Sequence, residues 1–174
     1  MRCKFTLLLM IFERERPQVQ KLFFEDLPFF HKMQSNPNVM RYADGEVNTL
    51  AAHSIELTTL ISKYSLPEND FWIYAIERKV DRFFLGTLAL VKDGEDDEIG
   101  LRFLEEYWSL GYGTEVCQRL LEYCKQIGIQ KIGATVVDLN RASTKILIGL
   151  GFKQVRKFIN KEMQLQETKY ERYL

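Results

Sequence analysis

Apolar residues recur at two spacings along the chain, and the spacing decides which element each stretch predicts. Residues 18–23 (Gln-Val-Gln-Lys-Leu-Phe) predict a short strand. Glu25, Asp26, Leu27 and Pro28 then open a helix, with an acidic first turn and a proline that suit an N-terminus and with Phe29, Phe30 and Met33 as its apolar side. Ser35-Asn36-Pro37-Asn38 is turn chemistry, and after Val39-Met40-Arg41-Tyr42 a second break, Ala43-Asp44-Gly45, leads to a longer helix over about residues 49–63. Residues 66–70 interrupt the chain. The aromatic and β-branched run 71–76 predicts a strand, 82–91 its hairpin partner and 99–104 the next strand. Val116, Cys117, Leu120, Leu121, Cys124 and Ile127 mark one face of a helix that Gly128 stops. A compact strand at 132–137, a short helix at 141–150 ended by Gly151, and a closing hairpin of 153–159 with 168–173 complete the pattern. The order β-α-α-β-β-β-α-β-α-β-β points to an α/β fold, a mixed sheet of about seven strands with helices on both faces.

Composition narrows the class. A chain of 174 residues with 46 % hydrophobic and 28 % charged content reads as one domain, 1–174, large enough to build a core without disulfides or metals. Lys and Arg number 24 and Asp and Glu also 24, so no cationic surplus is present to displace counterions from nucleic acid. The three cysteines, Cys3, Cys117 and Cys124, fit neither a zinc ribbon nor a secreted disulfide framework, which favours a reducing, cytoplasmic setting. Cys117 and Cys124 stand seven residues apart on the helical stripe and read as small buried hydrophobes. The acidic run 93–98 reads as a solvated turn, because it lacks calcium-loop spacing, and no metal is expected. No apolar run is long enough to span a bilayer. Residues 1–16 read as an edge strand or an N-terminal extension, and His31 and His53 as packing or surface residues.

The chemistry concentrates at 98–127, where a strand, a glycine-containing loop and a helix follow one another. Gly111 and Gly113 allow close backbone approach at a helix N-terminus, where free N–H groups and the positive dipole end attract an anion. The alternative is a tight turn with no ligand. Val116 stands where a dinucleotide fold needs its third glycine, and no Gly-Lys-Ser/Thr triplet is present, so neither NAD nor ATP is favoured.

Glu98-Ile99-Gly100, Glu106-Tyr107-Trp108, Gly111-Tyr112-Gly113-Thr114-Glu115, Asn140-x-x-Ser143 and Leu150-Gly151-Phe152 together resemble the acetyl-coenzyme A core of the GNAT N-acetyltransferases. More narrowly they resemble the ribosomal-protein-alanine (Rim-type) branch, where a tryptophan, here Trp108, often replaces the residue opening the Arg/Gln-x-x-Gly-x-Gly/Ala signature. Upstream, Asp26, Asn36-Pro37-x-Val39-Met40-x-Tyr42, Trp72 and Leu85-Gly86 extend the likeness, so it covers nearly everything after about residue 18. The resemblance implies a mostly antiparallel sheet with a splayed central strand pair, and acetyl-CoA as co-substrate. It implies that Leu101 and Phe103 pair with the pantetheine arm, that Ser109, Leu110, Gly111, Tyr112, Gly113 and Thr114 take the pyrophosphate, and that Asn140 bonds the pantetheine. Asn140 could equally cap the helix that follows. The resemblance further implies Ser143 as proton donor to the leaving thiolate, Glu162 as base, and Tyr42 and Trp72 around the acceptor pocket. Many relatives carry a tyrosine acid seven residues after the asparagine; here that position is Leu147. The expected reaction is direct acetyl transfer to a primary amine in a ternary complex of a monomer or homodimer. A protein N-terminal α-amine is favoured. A small amine (an aminoglycoside, polyamine or amino-acid derivative) and a non-catalytic acyl-CoA sensor are the alternatives, with no membrane or nucleic-acid partner.

Overall fold

Eight strands form one sheet in the order β1-β2-β3-β4-β5-β6-β8-β7 in the computed structural model, which describes residues 10–43, 47–94 and 96–174. The strands are β1 (Met10–Glu13), β2 (Pro17–Lys21), β3 (Phe71–Arg78), β4 (Phe83–Asp93), β5 (Asp96–Phe103), β6 (Lys131–Val137), β7 (Lys153–Ile159) and β8 (Gln166–Tyr173). All neighbours are antiparallel except β5 and β6. The eighth strand beyond the expected seven is β1, so residues 10–13 take the edge-strand reading; Cys3 lies outside the described residues.

Alternation along β3 explains the two cores. Tyr74 and Ile76 join a cluster with Val116, Leu120 and Cys124 of helix α4 (Tyr112–Gln126), while Ala75 joins one with Phe30 and Met33 of α1 (Leu27–Gln34) and Leu57 of α3 (Leu50–Lys63). Cys117 and Cys124 are buried, and burial pushes both thiols up to about 12, which leaves them unreactive at neutral pH.

Two expectations change. Pro37–Met40 forms a one-turn helix, α2, in place of a plain turn, because Asn36 caps it by accepting the Asn38 N–H at 2.9 Å. The acidic run is not wholly a solvated turn: residues 96–98 belong to β5, and the Glu98 carboxyl is partly buried between β5 and β6; Glu95 lies outside the described residues.

Candidate active site

β5 and β6 run side by side only through the pairs Asp97–Ile132 and Glu98–Gly133, after which they part and leave a wedge-shaped gap. The register of β3 on β4 skips Leu85, a bulge that bends β4 where it faces the end of β5. There the Leu104 N–H donates to the Leu85 carbonyl at 2.9 Å. Antiparallel alternation then turns the Arg102 backbone toward β4 and the N–H and C=O groups of Leu101 and Phe103 into the gap. The Phe103 carbonyl accepts the Trp108 indole N–H at 3.0 Å, which ties the strand end to the loop beyond. An extended amide-bearing chain laid in the gap would pair with β5 as an added strand does.

The loop is anchored from the other side. Glu105 accepts from Asn36 at 2.7 Å and from Asn38 at 2.9 Å, and Glu106 accepts from Lys32 at 2.5 Å, so α1 and α2 fix the turn that feeds it. Ser109 (φ 59°) and Gly111 (φ 88°) then hold left-handed backbone conformations. The six N–H groups of residues 109–114 donate to no backbone or side-chain acceptor among the described residues. This row of free donors at the N-terminus of α4 is what an anion would occupy. Gly113 approaches α5 (Arg141–Gly149) so closely that a Cβ would lie 3.0 Å from Ile146 Cδ1.

Asn140 and Ser143 meet at the far rim. The Asn140 side chain accepts the Ser143 N–H at 3.2 Å, which gives it the capping role, and the Ser143 hydroxyl has no partner among the described residues. Tyr42 reaches the Leu139 carbonyl at 3.4 Å, bringing the segment after α2 to the end of β6. Trp72 is not brought to it: it stacks on Tyr64 and Tyr74 at the start of β3. Glu162 sits exposed in the β7–β8 turn, its N–H donated to Asn160 Oδ1 at 2.9 Å, and Leu147 fills the α4-side core.

Residues 19–153 match the model of the acetyltransferase (GNAT) domain family. The chain belongs to the GNAT acetyltransferase family. As a member it is an acetyltransferase that draws on acetyl-CoA. It is 28 % identical over 149 residues, 83 % of each chain, to the uncharacterized N-acetyltransferase YoaA of Bacillus subtilis. Its fold resembles the Salmonella typhimurium acetyl transferase that modifies the N-terminal serine of ribosomal protein L7/L12 (TM-score 0.81, 14 % identity, 95 % and 99 % of the two chains covered). It also resembles Vibrio cholerae spermidine N-acetyltransferase in complex with CoA and spermine (TM-score 0.75, 19 % identity, 90 % and 95 % covered).

Glu98 is a further acid at the gap, to which sequence reasoning gave no role. It is the last residue of β5 paired to β6, at the vertex of the gap. Burial pushes its carboxyl up, a hydrogen bond with Thr135 of β6 works against that, and a bond shared with Asp93 adds to it. The signal in the sequence was its place at the end of the acidic run, next to the apolar run that begins at Ile99. Further along β5, Arg102 donates to Gln34 of α1, which donates to Glu56 of α3 at 2.9 and 3.0 Å, so one polar chain joins both helices to the strand.

The α1–α3 contact also holds two histidines. His31 Nδ1 lies 2.7 Å from His53 Nδ1, with Ser35 Oγ 3.0 Å from His31 and Phe30 edge-on to His53. Burial is the main cause that holds the buried His53 below its ordinary pKa; Glu56 opposes it and His31 reinforces it. Below the unfolded histidine pKa of about 6.5 the unfolded chain binds more protons at this position, so the contribution of neutral, buried His53 is present at neutral pH and is lost as pH falls. Urea midpoints measured from pH 7.5 to 5 are expected to drop more steeply for the natural protein than for His53→Phe. Parallel profiles would remove His53 from the pH response.

Proposed function

We propose that the chain transfers the acetyl group of acetyl-CoA to a protein N-terminal α-amine by direct attack in a ternary complex. The observation that carries the acetyl-CoA site is the row of free N–H groups at residues 109–114 joined to the open backbone of Leu101 and the N–H of Phe103. Those N–H groups bind the pyrophosphate, β5 pairs with the pantetheine, and Asn140 stands at the opposite rim, where its amide N–H group reaches the pantetheine while its oxygen caps α5.

An N-terminal α-amine, with a pKa of about 8, loses its proton far more readily than a lysine near 10.4. As its nitrogen bonds the thioester carbon, the amine proton passes to a carboxylate and the C–S bond breaks. Glu98 at the vertex and Glu162 on the β7–β8 turn are the candidate acceptors of that proton, and the Ser143 hydroxyl protonates the leaving thiolate as it regains a proton from solvent, to which the carboxylic acid releases its own. The Phe103 N–H, facing the gap, stabilises the developing oxyanion. The free thiols of Cys117 and Cys124 support a reducing, cytoplasmic setting.

The test is thiol release from acetyl-CoA with three acceptors: a peptide with a free N-terminal amine, the same peptide blocked at its N-terminus but carrying lysine, and spermidine. Turnover is expected with the first alone, and Ser143→Ala should lower kcat by about a hundredfold with the KM for acetyl-CoA unchanged. Glu98→Gln and Glu162→Gln, compared across pH, identify the base. Turnover on spermidine without turnover on the free peptide would replace this acceptor with a small amine.

A further inference from the structure

We infer that Arg16, which precedes the family-matched region 19–153, is a positioning residue for the coenzyme loop. This rests on the acetyl-CoA site proposed above. Arg16 lies in the tight connection between β1 and β2, where the Arg14 N–H donates to the Pro17 carbonyl at 2.8 Å. Its own carbonyl accepts the Lys79 N–H at 2.8 Å, so the backbone is pinned to the sheet. From that fixed base the guanidinium crosses to the loop. It donates to the Leu110 carbonyl at 2.9 Å and from Nε to Glu115 Oε1 at 2.7 Å, with a second bond from its terminal nitrogen to the same oxygen. Its carbon lies 4.6 Å from the centre of the Tyr112 ring, and a Cβ on Gly111 would stand 3.1 Å from Nη2. One side chain therefore touches positions 110, 112 and 115 of the loop and first turn and stands beside Gly111.

Those contacts answer two physical problems of the site. Two left-handed residues and six outward N–H groups make the loop conformation costly when it stands alone, since a collapsed turn would satisfy its own donors. Fixing the Leu110 carbonyl removes the nearest acceptor from that collapse. Glu115 is the second problem. Its carboxylate stands in the first turn of α4, beside the place an anion would occupy, and its Oε2 is buried without a partner. A bare negative charge there repels a phosphate at short range; paired with Arg16 it does not. Arg16 thus holds the donor row open and cancels the charge that opposes its ligand.

The experiment is titration of coenzyme A into the full chain at 25 °C, with melting curves showing every variant folded at that temperature. Arg16→Gln is expected to raise Kd about tenfold, and Arg16→Lys, which keeps the charge but not the planar fork, to fall between. Adding Glu115→Gln to Arg16→Gln should recover part of the affinity, because it deletes the charge left uncancelled. A role in stability alone would lower Tm and leave Kd in place. An Arg16→Gln Kd within twofold of the natural chain, or a double variant no tighter than Arg16→Gln, would overturn the inference. A natural chain that does not bind coenzyme A at all would overturn the proposed site instead.

Discussion

Replacing Gly86 by alanine is expected to cost about 3 kcal/mol or more of folding stability, lowering Tm by roughly 6–12 °C, and to abolish coenzyme binding in whatever fraction remains folded. The added Cβ would lie 2.0 Å from the Arg102 carbonyl oxygen and 2.8 Å from Phe103 Cα. Both are backbone atoms, so no rotamer change relieves the clash. Gly86 faces Phe103 across the β4–β5 pair, beside the bulge at Leu85, so the strands must separate where Leu104 bonds Leu85 and Trp108 bonds Phe103. Thermal melting and coenzyme A titration measure the two effects. A variant as stable as the natural protein would mean that β4 and β5 do not approach as closely as described.

Gly111→Val is expected to be nearly as harmful to binding and much milder to the fold. Gly111 caps α4 at φ 88°, a conformation that a β-branched residue holds only at a cost of about 1–2 kcal/mol, and its Cβ would meet Arg16 at 3.1 Å. Relief comes by rotating the peptide, which turns N–H groups of the donor row away from the site. Loss of even one or two charge-assisted bonds predicts a Kd for coenzyme A higher by about a hundredfold. Unchanged affinity would assign the two glycines to turn geometry alone.

The contrast between these glycines shows what the chain reveals directly. Gly111 and Gly113 were legible as a site because a strand, two closely spaced glycines and a strong amphipathic helix are local features, and their order alone implies free donors at a helix start. Gly86 was legible only within a resemblance, since the carbonyl it must accommodate belongs to Arg102, sixteen positions away. Helix α2 is one turn long, too short for periodicity to register, and depends on the Asn36 cap. The acidic run looked uniform, yet pairing with β6 draws Glu98 inward while Asp93 stays exposed. Arg16 and the His31–His53 pair were invisible for the same reason: each is a contact between distant segments, and composition gives no sign of which charged or ring side chain will cross to another element.

The measurement that tests the central claim most directly is the melting shift of the full chain with acetyl-CoA, set against NADH and ATP. Ligand at one hundred times Kd adds about 2.7 kcal/mol, which at this chain length raises Tm by roughly 5–11 °C. The gap between β5 and β6 and the donor row at residues 109–114 predict that shift for acetyl-CoA and not for the two controls. No shift at millimolar acetyl-CoA, or an equal shift with all three, would contradict an acetyl-CoA site at this place.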